Sequence, residues 1–246
     1  MGSEFVIMNV AVFGAATLQS ATGIGFGIIA GPILLMVLEG GEAIHISIIL
    51  NILIAGFLMP SLRKNADNAL VGRFLLGSII GIPVGLYVFL NVDIVMLKVL
   101  AGLAVSLTVF FVLRNSAGPT HEYNVVSRYR QAVPIGFIGG LMGGSLGMPG
   151  PVPAAWMSAI GCDKITIRAS ILVMFVFSYS AIYVLHLPFA EETLQTLASS
   201  AYLAPATIVG IVFGNAMANR FTEQVFRWVL VGVLVTTAGL LFSSVF

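Results

Sequence analysis

Charge is nearly missing from this chain. Of its 246 residues only 9% are Asp, Glu, Lys or Arg, against 59% hydrophobic, and the formal net charge is +1. A soluble domain carries about a quarter charged residues, so a mean hydropathy of +1.06 belongs to a chain solvated by lipid. The small net charge gives no electrostatic grip on nucleic acid. A single cysteine, Cys162, excludes an internal disulfide and any metal site built on several thiolates; it reads as a small apolar filler. No P-loop, H-E-x-x-H or nucleophile-elbow pattern occurs. Paired acids deep in the apolar runs are absent too, so the chain does not read as an enzyme and no cofactor is implied. The opening Met1-Gly2-Ser3-Glu4-Phe5 looks like a tag remnant, and no basic stretch precedes the first apolar run as in a cleaved signal peptide.

What is abundant is apolar sequence, in runs over residues 6–38, 43–62, 70–90, 94–113, 133–160, 165–187, 194–217 and 221–246. Most approach the roughly 20 residues that cross a bilayer core as helix. The expected fold class is all-α, a polytopic membrane protein. Its organisation reads as a first membrane repeat over 6–113, a polar linker over 114–131 and a second repeat over 132–246. The halves match in detail: Gly81-x-x-x-Gly85 precedes Lys98 as Gly210-x-x-x-Gly214 precedes Arg227, and Ala43 to Ser47 opens its segment as Ile167 to Ser170 opens another. The glycine pairs suit close helix packing.

The first run of each half is longer than one crossing and is broken, at Gly23-Ile24-Gly25-Phe26-Gly27 and at Gly147-Met148-Pro149-Gly150-Pro151. Two prolines remove backbone bonds that lipid cannot replace. Such backbone persists at membrane depth only where protein buries it or a cavity needs it, and a matched pair points to a transporter's binding site. The positive-inside rule chooses the geometry. If each broken run crosses once, Arg63, Lys64, Arg73, Arg114, Arg128 and Arg130 oppose Lys98, Lys164, Arg168, Arg220 and Arg227, six against five. If each doubles back, only Lys98 opposes the other ten. Doubling back is therefore expected. Each half then holds a hairpin and three crossings, the repeats are inverted, the linker is cytoplasmic and both termini lie outside.

Where a hairpin's second arm begins, near Gly27 and Pro151, unpaired N–H groups and the helix dipole present partial positive charge, which suits an anion. Candidate substrate-binding residues are Gln19, Ser20, Thr22, Gly23, Gly25 and Gly27 at the first break. Gly144, Ser145, Gly147 and Gly150 serve the second, with Asn51, Trp156 and Arg168 nearby. Asn51 also suits a bridge between helices, and Arg168 suits snorkelling. His45 reads as an interfacial or helix-end residue, or as a proton-coupling one because its charge changes near neutral pH.

Gly23-Ile24-Gly25-Phe26-Gly27 followed by Pro32 resembles the first-half signature G-x-G-G-G-x-x-x-x-P of the TauE/SafE sulfite exporters, with Phe26 in place of the middle glycine. Gly147-Met148-Pro149-Gly150-Pro151 resembles that family's G-x-P-G-P variant. The resemblance covers nearly the whole chain. It implies a transporter in a bacterial inner membrane, carrying sulfite, sulfonates or other small organosulfur anions, commonly outward. A homodimer would be compatible. An anion channel using the same midplane site is the alternative.

Overall fold

The computed structural model describes residues 2–38, 41–114, 125–189 and 193–218, with 232, 235 and 239. Among them there is no strand. The helices are α1 (Gly2–Thr22), α2 (Phe26–Val37), α3 (Glu42–Leu62), α4 (Asn68–Asn91), α5 (Ile94–Arg114), α6 (Val125–Leu146), α7 (Pro151–Ala159), α8 (Lys164–His186) and α9 (Thr193–Met217). Five stretches are long and apolar enough to cross a membrane, in α1, α3, α4, α8 and α9. Two findings move boundaries. Helix α1 starts at Gly2, and the Phe5 ring packs edge-on against Tyr202 at 4.5 Å, so the apparent tag belongs to the first turns. Helix α6 starts at Val125, inside the stretch read as linker. Of the last apolar run only residues 232, 235 and 239 are described, all helical.

The helix starts have local causes. Asp67 caps α4 by accepting from the Ala69 and Leu70 amides, and Asp163 caps α8 by accepting from those of Ile165 and Thr166, satisfying donors that helix geometry leaves over. The first broken run stops at Gly23 and the second at Gly147, whose φ values of 90° and 67° are open only to glycine at little cost.

Glycine stripes set the packing. Gly77, Gly81 and Gly85 of α4 face Gly136, Gly140 and Gly144 of α6 so closely that a Cβ on Gly81 would overlap the Phe137 carbonyl and lie 2.9 Å from the Leu141 nitrogen. A Cβ on Gly140 would lie 2.8 Å from the Ser78 Cα. In the same way Gly210 and Gly214 of α9 lie on α1, where a Cβ on Gly210 would stand 2.6 Å from the Phe13 carbonyl oxygen. Backbone contact of this kind is how helices associate where lipid supplies no hydrophobic drive.

The pattern is reciprocal. The Gly-x-x-x-Gly helix of each half packs on the opening helix of the other, and α3 meets α8 between them. These two run antiparallel: His45 near the start of α3 meets His186 at the end of α8, while Asp67, just past the end of α3, donates its N–H to Ser170 Oγ near the start of α8. The outer faces of α4 and α9 are apolar and exposed, through Ile79, Ile80 and Tyr87 on one and Tyr202, Val209 and Val212 on the other. Lipid is the solvent those faces fit.

Candidate functional site

The first break is fastened by a run of amides. Phe26, the first residue of α2, donates its N–H to Gln19 Oε1 at 2.9 Å. That fixes the amide's orientation, so Gln19 Nε2 donates to Asn51 Oδ1 at 2.9 Å, and Asn51 Nδ2 donates to the Ser47 carbonyl at 2.8 Å. Gln19, Ser47 and Asn51 are all buried. Thr22 closes the turn, its Oγ1 donating to Leu18 O at 2.8 Å and accepting from the Ile24 amide at 3.2 Å.

The second break is held from α8. Tyr179 donates its hydroxyl to the Gly147 carbonyl at 3.1 Å, and His186 Nε2 lies 2.9 Å from the Gly144 carbonyl. Pro151 and Pro153 occupy the first and third positions of α7. Proline suits the opening of a helix, but it carries no N–H, so Val152 is the one donor in that first stretch. In α2 the amides of Gly27 and Ile28 stand in the first turn, where no intrahelical acceptor exists. The two helix ends thus differ as donors, a point the matched motifs do not reveal.

The two breaks meet. A Cβ on Gly27 would lie 3.0 Å from the Gly147 carbonyl oxygen and 3.4 Å from the Tyr179 hydroxyl; one on Gly150 would lie 3.6 Å from Ile24 Cγ2. Between them is a cavity of about 10 Å³ lined by Gln19, Gly25, Gly27, Gly150, Phe175 and Tyr179, among others. That is room for about one water molecule, too little for an ion of four heavy atoms, so this conformation does not accommodate one where the breaks converge.

The sequence-derived candidates divide accordingly. Gln19, Gly25, Gly27 and Gly150 line the cavity; Gly147 touches it through the Gly27 contact, and Asn51 stands behind Gln19. Gly23 lies beneath α8, where a Cβ would be 2.7 Å from the Arg168 Cα. Arg168 Nη2 donates to Asn215 Oδ1 at 2.8 Å, while its buried Nε has no partner among the described residues, and neither has the buried Ser20 Oγ. Gly144 packs on α4, Ser145 bonds back to Leu141, and Trp156 stands edge-on to Phe74 at 5.9 Å. Phe175, Met148 and His186 were not singled out from sequence. Phe175 in an apolar helix and Met148 within the second break carry no signal distinct from packing, and His186 gains meaning only through its partners.

Five apolar helices long enough to span, with two backbone breaks converging between them, define a multi-pass membrane protein. A profile of the family described as Sulfite exporter TauE/SafE matches residues 8–241. The chain belongs to that family. Neither a curated protein nor a solved structure matches it.

Proposed function

We propose that this protein is a secondary transporter that exports sulfite or a small organosulfonate across the bacterial inner membrane by alternating access. The observation that carries the reading is the meeting of the two breaks in the protein interior, with the first turn of α2 directed at the gap. Amide donors and the dipole of α2 stabilise a sulfur oxyanion; Ile24, Ile28, Met148 and Phe175 suit a short carbon substituent, and Tyr179, whose one hydrogen goes to the Gly147 carbonyl, holds the second break beside them. Arg168, one side of it beside Gly23, draws anions toward the inner mouth.

The reciprocal packing and the antiparallel run of α3 and α8 support inverted repeats over 6–113 and 132–246, with the hairpins and the cytoplasmic linker that charge bias requires. The glycine contacts join α4 to α6 and α1 to α9 at backbone distance. Each pair therefore moves as a unit, and access alternates by rocking one pair against the other around the site. The narrowness of the gap suits a carrier, which must rearrange to pass its solute.

Purified protein in liposomes, loaded separately with labelled sulfite and methanesulfonate, tests this. Saturable flux of either anion above empty liposomes is expected. No flux of either rejects the reading, and single-channel currents replace the carrier by a pore.

A further inference from the structure

We propose that His45 and His186 together form the binding site for one proton whose uptake is coupled to anion transport, an inference that rests on the transporter reading above. The two imidazoles lie at the joined ends of α3 and α8, with His45 Nε2 3.2 Å from His186 Nδ1 and His186 Nε2 2.9 Å from the Gly144 carbonyl. Both rings are buried. A carbonyl only accepts, so His186 Nε2 carries a hydrogen. In the neutral pair His186 Nδ1 is then the acceptor and His45 Nε2 the donor.

One further proton fits without breaking either bond. It enters at His45 Nδ1, or it resides on His186 Nδ1 while His45 shifts its own hydrogen to Nδ1 and accepts at Nε2. A second proton puts N–H on both facing nitrogens and abolishes their bond. The pair thus holds one proton in the connected state. The Phe89 ring, with centroids 5.7 Å from His45 and 4.9 Å from His186, offers its π system to the cation.

The titratable surroundings leave the pair without a competing carboxylate among the described residues. On α3, Glu42 accepts from Ser199 Oγ of α9 at 3.1 Å. On α8, Tyr179 is bonded to Gly147, and Tyr183 is the other phenol of this half of the helix. Beyond α4, Asp93 caps the Met96 amide. Arg73, Arg130 and Arg168 sit toward the opposite ends of α4, α6 and α8. Glu39, Glu191 and Glu192 lie outside the described residues. No third His, Cys, Asp or Glu joins the two histidines as a metal cluster among the described residues.

The position ties the proton to the solute site. Gly144 stands three residues before Gly147 on α6, so the charge and geometry of His186 act on the second break directly. The repeat gives independent support. Ala43-Ile44-His45-Ile46-Ser47 aligns with Thr166-Ile167-Arg168-Ala169-Ser170, which puts His45 and Arg168 at matched places. The Arg168 Cα lies beneath Gly23 of the first break, and Ile44, next to His45, has its Cγ2 3.4 Å from a Cβ on Gly147 of the second. One end of the site bears a permanent cation, the other a titratable one.

The test uses the full-length protein in liposomes with methanesulfonate, which stays a monoanion throughout, or sulfite where only that is carried. His45→Gln and His186→Gln keep hydrogen-bonding groups but take no proton. A gradient of one pH unit, imposed in either polarity, sustains about tenfold accumulation in the wild type for one coupled proton. Both variants are expected to lose that accumulation, and His45→Gln to go on exchanging labelled for unlabelled anion at equal pH. Accumulation that persists in either variant overturns the inference, as does exchange lost together with accumulation in His45→Gln, which assigns the pair to structure. Exchange by the wild type with no response to the gradient removes the proton site alone, whereas no exchange removes the transporter reading and the proton site with it. If neither variant folds, proton uptake by the wild type on adding anion, read with a pH dye, decides; none overturns the proposal.

Discussion

Replacing Gln19 with leucine keeps most of the side-chain volume and deletes the amide that joins α2 to α3. Two buried groups then lose their partners, the Phe26 N–H and Asn51 Oδ1. An orphaned buried polar group costs about 1–3 kcal/mol. Interhelical polar bonds in membranes fall toward the low end of such ranges, because loosened helices find other partners in the bilayer. The expected loss is therefore about 2 kcal/mol, taking 1 kcal/mol for each group. Thermal unfolding in detergent reads it as a midpoint lower by roughly 4–8 °C for a chain of this size. Asn51→Leu alone orphans Gln19 Nε2, and the double variant leaves only the Phe26 amide unsatisfied. The double variant should therefore be less destabilised than the sum of the singles. A midpoint unchanged in Gln19→Leu, or strict additivity in the cycle, would refute the claim that this run of amides holds the first break.

Glycines within α4 separate packing from propensity. Gly81→Ala forces a methyl into the α6 backbone and is expected to lower the midpoint sharply, whereas Gly72, with nothing within 4 Å of its Cβ position, should tolerate Ala or gain about 0.5–1 kcal/mol; equal effects would discount the close approach. The hairpin topology is open to labelling in a Cys162→Ser background. Cysteines at Glu4 and Glu42 should react from one face of the membrane and a cysteine at Lys64 from the other; opposite faces for Glu4 and Glu42 would make the first broken run a single crossing. At the exposed cap of α8, the Thr166 hydroxyl and then backbone amides hold the Asp163 carboxyl below its ordinary value of 3.8. A depressed folded value adds stability above the unfolded value that is lost as pH falls through the folded one. Asp163→Ala should thus cost about 0.5–2 kcal/mol near neutral pH. Its difference from wild type should shrink on acidification, and a gap independent of pH would exclude the carboxylate as the cap.

Helical class, the places of the breaks and the structural use of the glycine pairs were legible in sequence because lipid tolerates few solutions. A buried backbone group must be bonded within its own helix, and a glycine stripe has little use except close approach. Long-range partners were not legible. Gln19 and Asn51 lie 32 residues apart and His45 and His186 lie 141 apart, and nothing local in either segment marks the other. Asn51 read first as a helix bridge and second as a ligand contact, and in the fold it bridges α3 to Gln19 at the first break. Trp156, one step from the motif, is carried to Phe74 by the short arc of α7, while Tyr179, on another helix, reaches the gap. Local sequence determined where the chain must bend, because that depends on φ, on missing N–H groups and on the solvent along one segment. Only the tertiary structure decided which side chains face the bend, since that follows from how α3 and α8 run past each other.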